Sequence, residues 1–394
     1  MKCTIELLSP LHIGNGNDLK LVDFYLDERN NRVRFIDFEK FSDHCINEKI
    51  DLIKEMQNNV YYTGNDFSIT KFMNINKINP SRFISYDVSA IIGKRRRETE
   101  FTIKEFIKCG GPYIPGSSIK GAIRTALMWY YLSENKKGKD IVSYGISNWM
   151  NKKRITGRDI KRIDDEISRI VFGKDPHNDI FRALKVSDTN IIGLSDLEVS
   201  EVKITGNSQS IPVYIENMKI NTKGLITSVE IDDVLLHAKT KEINFQSHDL
   251  KDYIELKTLL KVCNEFSKRV IEKNLEYLWE NYDCYSTVDE FDRLWNEVFK
   301  CKENEAILHI GWGGGWYSTT IGLILEELPN FTNYRGGYSN RGNHTGNSIR
   351  EHFYLGRRPG TNKYSINFPK TRRLTIEGKP LGWVKLSFQQ SAPY

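Results

Sequence analysis

The stretch Pro112-Tyr113-Ile114-Pro115-Gly116-Ser117-Ser118-Ile119-Lys120-Gly121-Ala122-Ile123-Arg124 constrains the chain more than any other. Pro115-Gly116 punctuates a turn, and Ser117 or Ser118 is placed to cap the first amides of a following helix. Ile119, Ile123, Leu127, Tyr130 and Tyr131 then recur at helical spacing and give that helix one apolar face. Lys120 and Arg124, four residues apart, share another face. A glycine-flanked helix N-terminus offers N–H groups and the positive end of the helix dipole. With a lysine and an arginine beside it, the stretch reads as a phosphate site; the alternative is a capped, exposed basic helix.

The rest of the chain mixes strands and helices. Cys3, Ile5 and Leu7 alternate with Thr4 and Glu6, which predicts an opening strand that ends in the Gly-rich loop Ser9–Gly16. Residues 23–111 read as an insertion. It holds a short strand pair around Asp23–Phe38 with a turn near Asn30-Asn31, a polar Asn-rich middle and the run Lys94-Arg95-Arg96-Arg97. Residues 136–180 read as a second polar excursion with an amphipathic helix at 159–172. Phe181–Asp188 reads as a strand, and Val213–Ile220 with Leu225–Ile231 as a hairpin through Asn221-Thr222-Lys223-Gly224. Periodic apolar residues predict a helix within 249–281. Thr287-Val288-Asp289-Glu290 is a capping box that opens another helix, with Phe291, Leu294, Trp295 and Val298 inward. Val384, Leu386 and Phe388 alternate as a last strand. Without a strict βαβα rhythm, this pattern is α+β.

Composition narrows the function. No run of about 18 apolar residues occurs, so no membrane span is expected, and the N-terminus lacks the apolar block of a signal peptide. Cys3, Cys45, Cys109, Cys263, Cys284 and Cys301 form no C-x-x-C pair, which points to reduced thiols in a cytoplasmic protein, not to a disulfide framework or a zinc site. The net charge is +6, yet the 65 residues from Asn330 to Tyr394 hold eleven Lys/Arg and two Glu, a charge of +9 that leaves −3 for the remainder. Tyr334, Tyr338, Phe353, Tyr354 and Tyr364 are interleaved with those arginines. Aromatic and guanidinium planes stack unpaired bases, and the glycines between them let a strand approach closely.

Several motifs compete for meaning. Gly311-Trp312-Gly313-Gly314-Gly315 is followed by Trp316 and Tyr317 but fits neither G-x-G-x-x-G nor a P-loop. It reads either as a backbone cradle beside stacking rings or as a tight turn buttressed by tryptophans. Ser117-Ser118-Ile119-Lys120 matches S-x-x-K, but the chain has neither K-T-G nor S-D-N. The eight histidines form no H-x-x-x-H pair. His12, alone in the first Gly-rich loop, is a candidate acid–base group in RNA cleavage or a structural residue. Asp23 and Asp37 lack the acidic neighbours a metal site needs, so neither a metal nor a cofactor is expected.

Pro112–Arg124 resembles the P-Y-I-P-G-S-S-x-K-G-x-x-R signature of the repeat-associated (RAMP) proteins of CRISPR systems. Ser9–Gly14 is similar to their first-strand loop, and Leu184-Lys185-Val186-Ser187-Asp188 to the strand that follows. His309–Gly322, Pro369–Arg373 and Pro380–Leu386 resemble the fifth Csm-type subunit of type III-A effector complexes.

The resemblance implies two RRM-like (ferredoxin-like) units. The first spans 1–235 and carries the insertion 23–111; 236–304 is helical; the second, 305–394, carries the Gly-rich loop and basic tail. It also implies a non-catalytic RNA-binding subunit that caps the complex near the 3′ end of the CRISPR RNA. Such a subunit would lie beside the repeated backbone subunit and support guide maturation and antiviral interference. The expected RNA contacts are His12, Gly14, Ser117, Ser118, Lys120, Arg124, Lys185, Trp312, Gly313, Gly314, Gly315, Trp316, Tyr317, Arg372 and Arg373. Two alternatives stay open. One is a metal-independent endoribonuclease that processes CRISPR precursor RNA. The other is a scaffold that recruits host trimming nucleases. In the backbone subunit the catalytic Asp lies on a short path from the first-strand loop to this helix. Here about a hundred residues intervene, so Asp23 is not aligned to it and no catalytic role is carried over.

Overall fold

The computed structural model describes residues 1–63, 66–93, 101–152, 157–205, 212–240, 243–245, 248–279, 285–332, 348–357, 360–361, 364–365 and 368–389. Lys94–Arg97, Tyr334 and Tyr338 lie outside the described residues. In chain order, β1 (Lys2–Leu7), β2 (Gly14–Leu19), β3 (Phe24–Asp27) and β4 (Arg32–Ile36) precede α1 (Phe38–Asn47), α2 (Leu52–Thr63) and α3 (Ile69–Ile75). β5 (Ile84–Ile91) and β6 (Ile103–Phe106) lead into α4 (Gly116–Glu134), α5 (Lys136–Met150) and α6 (Gly157–Phe172). Next come β7 (Leu184–Val186), β8 (Leu197–Ile204), β9 (Val213–Met218) and β10 (Leu225–Ile231), then α7 (Asp233–Leu236), α8 (Leu256–Trp279) and α9 (Tyr285–Phe299). The last described elements are β11 (Glu305–His309), α10 (Gly315–Thr319), α11 (Gly322–Glu327), α12 (Ile349–His352), β12 (Arg373–Thr375) and β13 (Trp383–Phe388).

The fold is α+β with two sheets. The first has the order β11-β13-β1-β10-β7, antiparallel throughout. Along β1, Cys3, Ile5 and Leu7 are buried while Lys2, Thr4 and Glu6 are exposed, so one sheet face is covered and the other is wet. α4 and α8 belong to the covered side, where Trp129 and Phe266 meet with ring centroids 5.5 Å apart. The apolar stripe read in α4 is buried at Ile119, Ile123, Leu127 and Tyr131. Each fully buried aliphatic side chain of that kind contributes about 1.5–3 kcal/mol.

The second sheet has the order β2-β6-β9-β8-β5-β4-β3, with β12 also paired to β8. Residues 23–111 are therefore not appended to a finished unit. Their β5 and β6 pair in parallel with β8 and β9. The α1–α3 part does keep a small core of its own around Phe41, Phe72, Met73 and Phe83.

Other expectations need correction. β9 and β10 are not a hairpin: β9 pairs with β8 in one sheet and β10 with β1 in the other. The link between them, with Gly224 at φ +79°, crosses between sheets. The strands after residue 305 also do not form a sheet apart from the first unit, because β13 lies between β1 and β11. α5 was hidden in a polar segment, yet Val142, Ile146 and Trp149 bury one face of it. No helix among the described residues is long and apolar enough to cross a membrane.

Candidate functional site

Because β1 and β11 both run antiparallel to β13, their C-terminal ends meet its start. Three loops converge there. Leu8 and Ser9 donate backbone N–H bonds to Trp383 O, Gly382 N–H to Pro10 O, and Ile310 N–H to Gly382 O. Trp312 N–H donates to His12 O at 2.9 Å, tying the first-strand loop to the glycine-rich turn. Gly311, at φ +71°, lies so close that an added Cβ would fall 2.4 Å from His12 O.

His12 does not face solvent. It is 1% exposed, and its Nδ1 lies 2.7 Å from Glu216 O. Its ring meets Trp312 edge-on at 5.9 Å. Burial pushes its pKa down to about 4. The expected RNA contact or acid–base group is thus a neutral, enclosed ring, because its loop folds beneath Trp312. Gly14 is exposed at the start of β2 beside this ring.

The glycine-rich turn packs against the protein's own side chains. A Cβ on Gly314 would fall 2.3 Å from the His309 ring, and one on Gly313 2.9 Å from Leu381. Only Gly315 of the three faces open space, at φ +69°. Trp316 stacks with Phe331 and meets Phe368 edge-on, and Tyr317 is buried with its hydroxyl donating to Glu326 at 2.7 Å. Much of this motif therefore follows the buttressed-turn alternative. Trp312, half-exposed as Trp316 is, has the Arg373 guanidinium 4.9 Å from its ring centroid. Arg373 has no carboxylate within ion-pair distance among the described residues. Arg372, by contrast, is buried: Nε donates to Asn274 Oδ1, Nη1 to Pro369 O and Thr371 O, and Tyr277 lies 4.1 Å beneath it. Adjacent residues on an extended segment point to opposite sides, which separates the two arginines.

The start of α4 forms a second region. Neither Ser117 nor Ser118 caps it: Pro115 occupies the cap position without a side-chain bond. Asp188 takes that role from beyond β7, accepting from Gly116 N–H at 2.8 Å. Gly116 is needed for this approach, since a Cβ there would fall 2.3 Å from Val186 O. A carboxylate thus already occupies the first amide. Arg124 is also engaged, paired with Asp179 at 2.8 Å and laid over Phe172 at 3.8 Å. Lys185 pairs with Asp232 at 2.8 Å and Glu230 at 3.5 Å. Lys120 differs. It is half-buried with its Nζ 5.7 Å from the Phe181 ring, and no acid pairs with it among the described residues. Burial lowers its pKa, outweighing the opposing pull of Asp179.

Sequence reasoning missed Asp188, His309 and Ser318 as members of these regions. Gly116 and Gly314 are the local signals that an unseen group lies close. No cluster of three or more metal-ligating side chains occurs among the described residues. Asp37 caps α1 and pairs with Lys40, and Asp23 accepts from Lys20 N–H.

Residues 4–318 match the family described as the RAMP superfamily. A protein of Methanocaldococcus jannaschii, "CRISPR system Cms protein Csm5", is 25% identical over 98% of this chain and 88% of its own length. One of Streptococcus thermophilus with the same description is 26% identical over 70% of this chain and 75% of its own. Two solved structures share the fold, each with a TM-score of 0.68. "Crystal structure of T.onnurineus Csm5" is 27% identical and covers 97% of this chain and 99% of its own. A chain of "Cryo-EM structure of Csm-crRNA-target RNA ternary complex in type III-A CRISPR-Cas system" is 29% identical and covers 98% and 100%.

Proposed function

Because the chain belongs to the RAMP superfamily, we propose that it is an RNA-binding subunit of a type III-A CRISPR effector complex. In this reading it holds the 3′ region of the CRISPR RNA, caps the complex there beside the repeated backbone subunit, and supports guide maturation and interference in the cytoplasm. Host nucleases do the trimming. The observation that carries the reading is the likeness, over nearly the full length of both chains, to a chain of a Csm–crRNA–target RNA complex. The site supports it with two half-exposed cations that have no acid partner among the described residues: Arg373 over Trp312, and Lys120 on α4. A guanidinium on an indole offers a charge for phosphate and a plane for a base. The nuclease alternative requires an accessible group titrating near neutrality, and His12 is enclosed with its pKa near 4.

The test is position-specific photocrosslinking in reconstituted complexes, with a reactive uridine placed at successive guide positions. Crosslinks to this chain confined to the 3′ region support the cap reading. Crosslinks confined to the 5′ end, or none at any position, contradict it.

A further inference from the structure

A cavity of about 150 Å3 lies between the Gly313–Gly315 turn and the segment carrying Pro369, Thr371 and Arg372. Three side-chain atoms of its lining residues make no hydrogen bond: Arg372 Nη2, His309 Nε2 and Ser318 Oγ. These residues are 9%, 7% and 6% exposed, so water outside does not satisfy them. An orphaned buried polar atom is destabilising. Three on one cavity mark a space built for a polar occupant.

The charge of the lining specifies that occupant. The Arg372 guanidinium is buried, and no carboxylate lies within ion-pair distance of it among the described residues. Glu326, the neighbouring acid, is taken up by the Tyr317 hydroxyl at 2.7 Å and approached by Lys273 at 3.7 Å. A buried, unbalanced cation favours an anion beside it. His309, wedged between Gly314 and Gly382, has its pKa lowered to about 4 by burial and is neutral at pH 7. With its proton on Nε2 it donates, as the Ser318 hydroxyl does. A planar guanidinium and two neutral donors suit an oxyanion.

We propose that this cavity binds a single phosphate group, held by Arg372, His309 and Ser318. Two sources share that chemistry: free inorganic phosphate, and the phosphorylated 3′ end of an RNA strand. The second source rests on the RNA-binding reading above; the first does not.

The experiment uses the full chain. Its thermal unfolding and titration calorimetry are followed in sodium phosphate against sodium chloride at matched ionic strength. Binding is then measured for one RNA oligonucleotide ending in a 3′-phosphate or a 3′-hydroxyl. The expected result is saturable stabilisation by phosphate, weakened about three- to tenfold in Ser318→Ala and abolished in Arg372→Gln. If Arg372→Gln fails to fold, Ser318→Ala and the unmutated chain decide. A preference for 3′-phosphate RNA that Ser318→Ala erases assigns the RNA terminus as the source. Equal binding of the two RNAs with phosphate binding retained assigns free phosphate. No saturable response to phosphate in either form overturns the proposal, as does a response that Ser318→Ala leaves unchanged. Failure of the RNA-binding reading looks different: neither oligonucleotide binds, whatever free phosphate does.

Discussion

The start of α4 and the glycine-rich turn before α10 both look like phosphate sites in sequence, but their polar groups are used differently. At the start of α4 the chain satisfies itself: Asp188 takes the Gly116 amide, Asp179 takes Arg124, and Asp232 takes Lys185. Lys120 has no acid partner among the described residues. At the turn, Arg373 rests on Trp312 without an acid partner, and Arg372, His309 and Ser318 keep unbonded polar atoms inside. A basic residue at a helix start is thus weak evidence of a ligand until its counter-charge is located. In this chain those counter-charges come from residues 55 or more positions away for Arg124 and 72 for Gly116.

The largest expected effects come from the two glycines that let each region close. Gly116→Val drives a side chain into the Val186 carbonyl and Gly314→Val drives one into His309. Each should lower stability by about 3 kcal/mol or more, the upper end of overpacking costs. Gly315→Ala, facing open space at φ +69°, should cost about 1 kcal/mol from backbone strain alone. Urea midpoints of the three variants check this order. Equal small losses would mean that the close approaches are not real.

Next is pH. His12 and His309 are held near pKa 4, below the unfolded value, so the unfolded chain binds more protons in the window between about 4 and 6.5. Their stabilisation is full above pH 6.5 and is lost as pH falls through about 4, on the order of 3 kcal/mol for each. Burial also lowers the pKa of His248, while it raises Asp164 to about 6 and raises Glu198 and Glu326, which oppose the histidines; the two large shifts of His12 and His309 set the sign. Unfolding midpoints should therefore drop from pH 7 to pH 5, and the ring protons of both histidines should not titrate there. Midpoints unchanged across that range would remove the enclosed-histidine account.

A smaller effect separates Lys120 from Arg124. Arg124→Ala loses the Asp179 pair and the Phe172 stack and should cost about 1–2 kcal/mol of stability, with RNA affinity changed less than about twofold. Lys120→Ala should leave stability within about 0.5 kcal/mol and weaken RNA binding about three- to tenfold. The reverse pattern would exchange their roles.

Much of the architecture was legible because its signals are local. The alternation in β1 and β13, the apolar stripes of α4 and α8 and the strand pair around Asn30-Asn31 all appear where periodicity puts them. What was not legible depends on partners distant in sequence. Alternation in 213–231 gives two strands but not which sheet each joins, and so β9 and β10 were paired wrongly. Val142, Ile146 and Trp149 carry helical spacing, but the lysines and serines around them masked it. Arg372 and Arg373 are indistinguishable as text, and only the pairing of β12 with β8 turns one inward over Tyr277 and leaves the other on Trp312. The family signatures located both regions without saying which charges in them are free.

The central claim is that the chain binds single-stranded RNA, with Arg373 and Lys120 among its contacts, and does not cut it. It is tested most directly by filter binding of the purified protein to guide 3′-region RNA in EDTA at two salt concentrations, with the RNA recovered and sized. The account predicts intact RNA and affinity that falls with salt. Arg373→Ala should weaken binding severalfold without changing base preference and reduce the salt slope by about 1. No binding at either salt concentration, or a defined cut that disappears in His12→Ala, would contradict it.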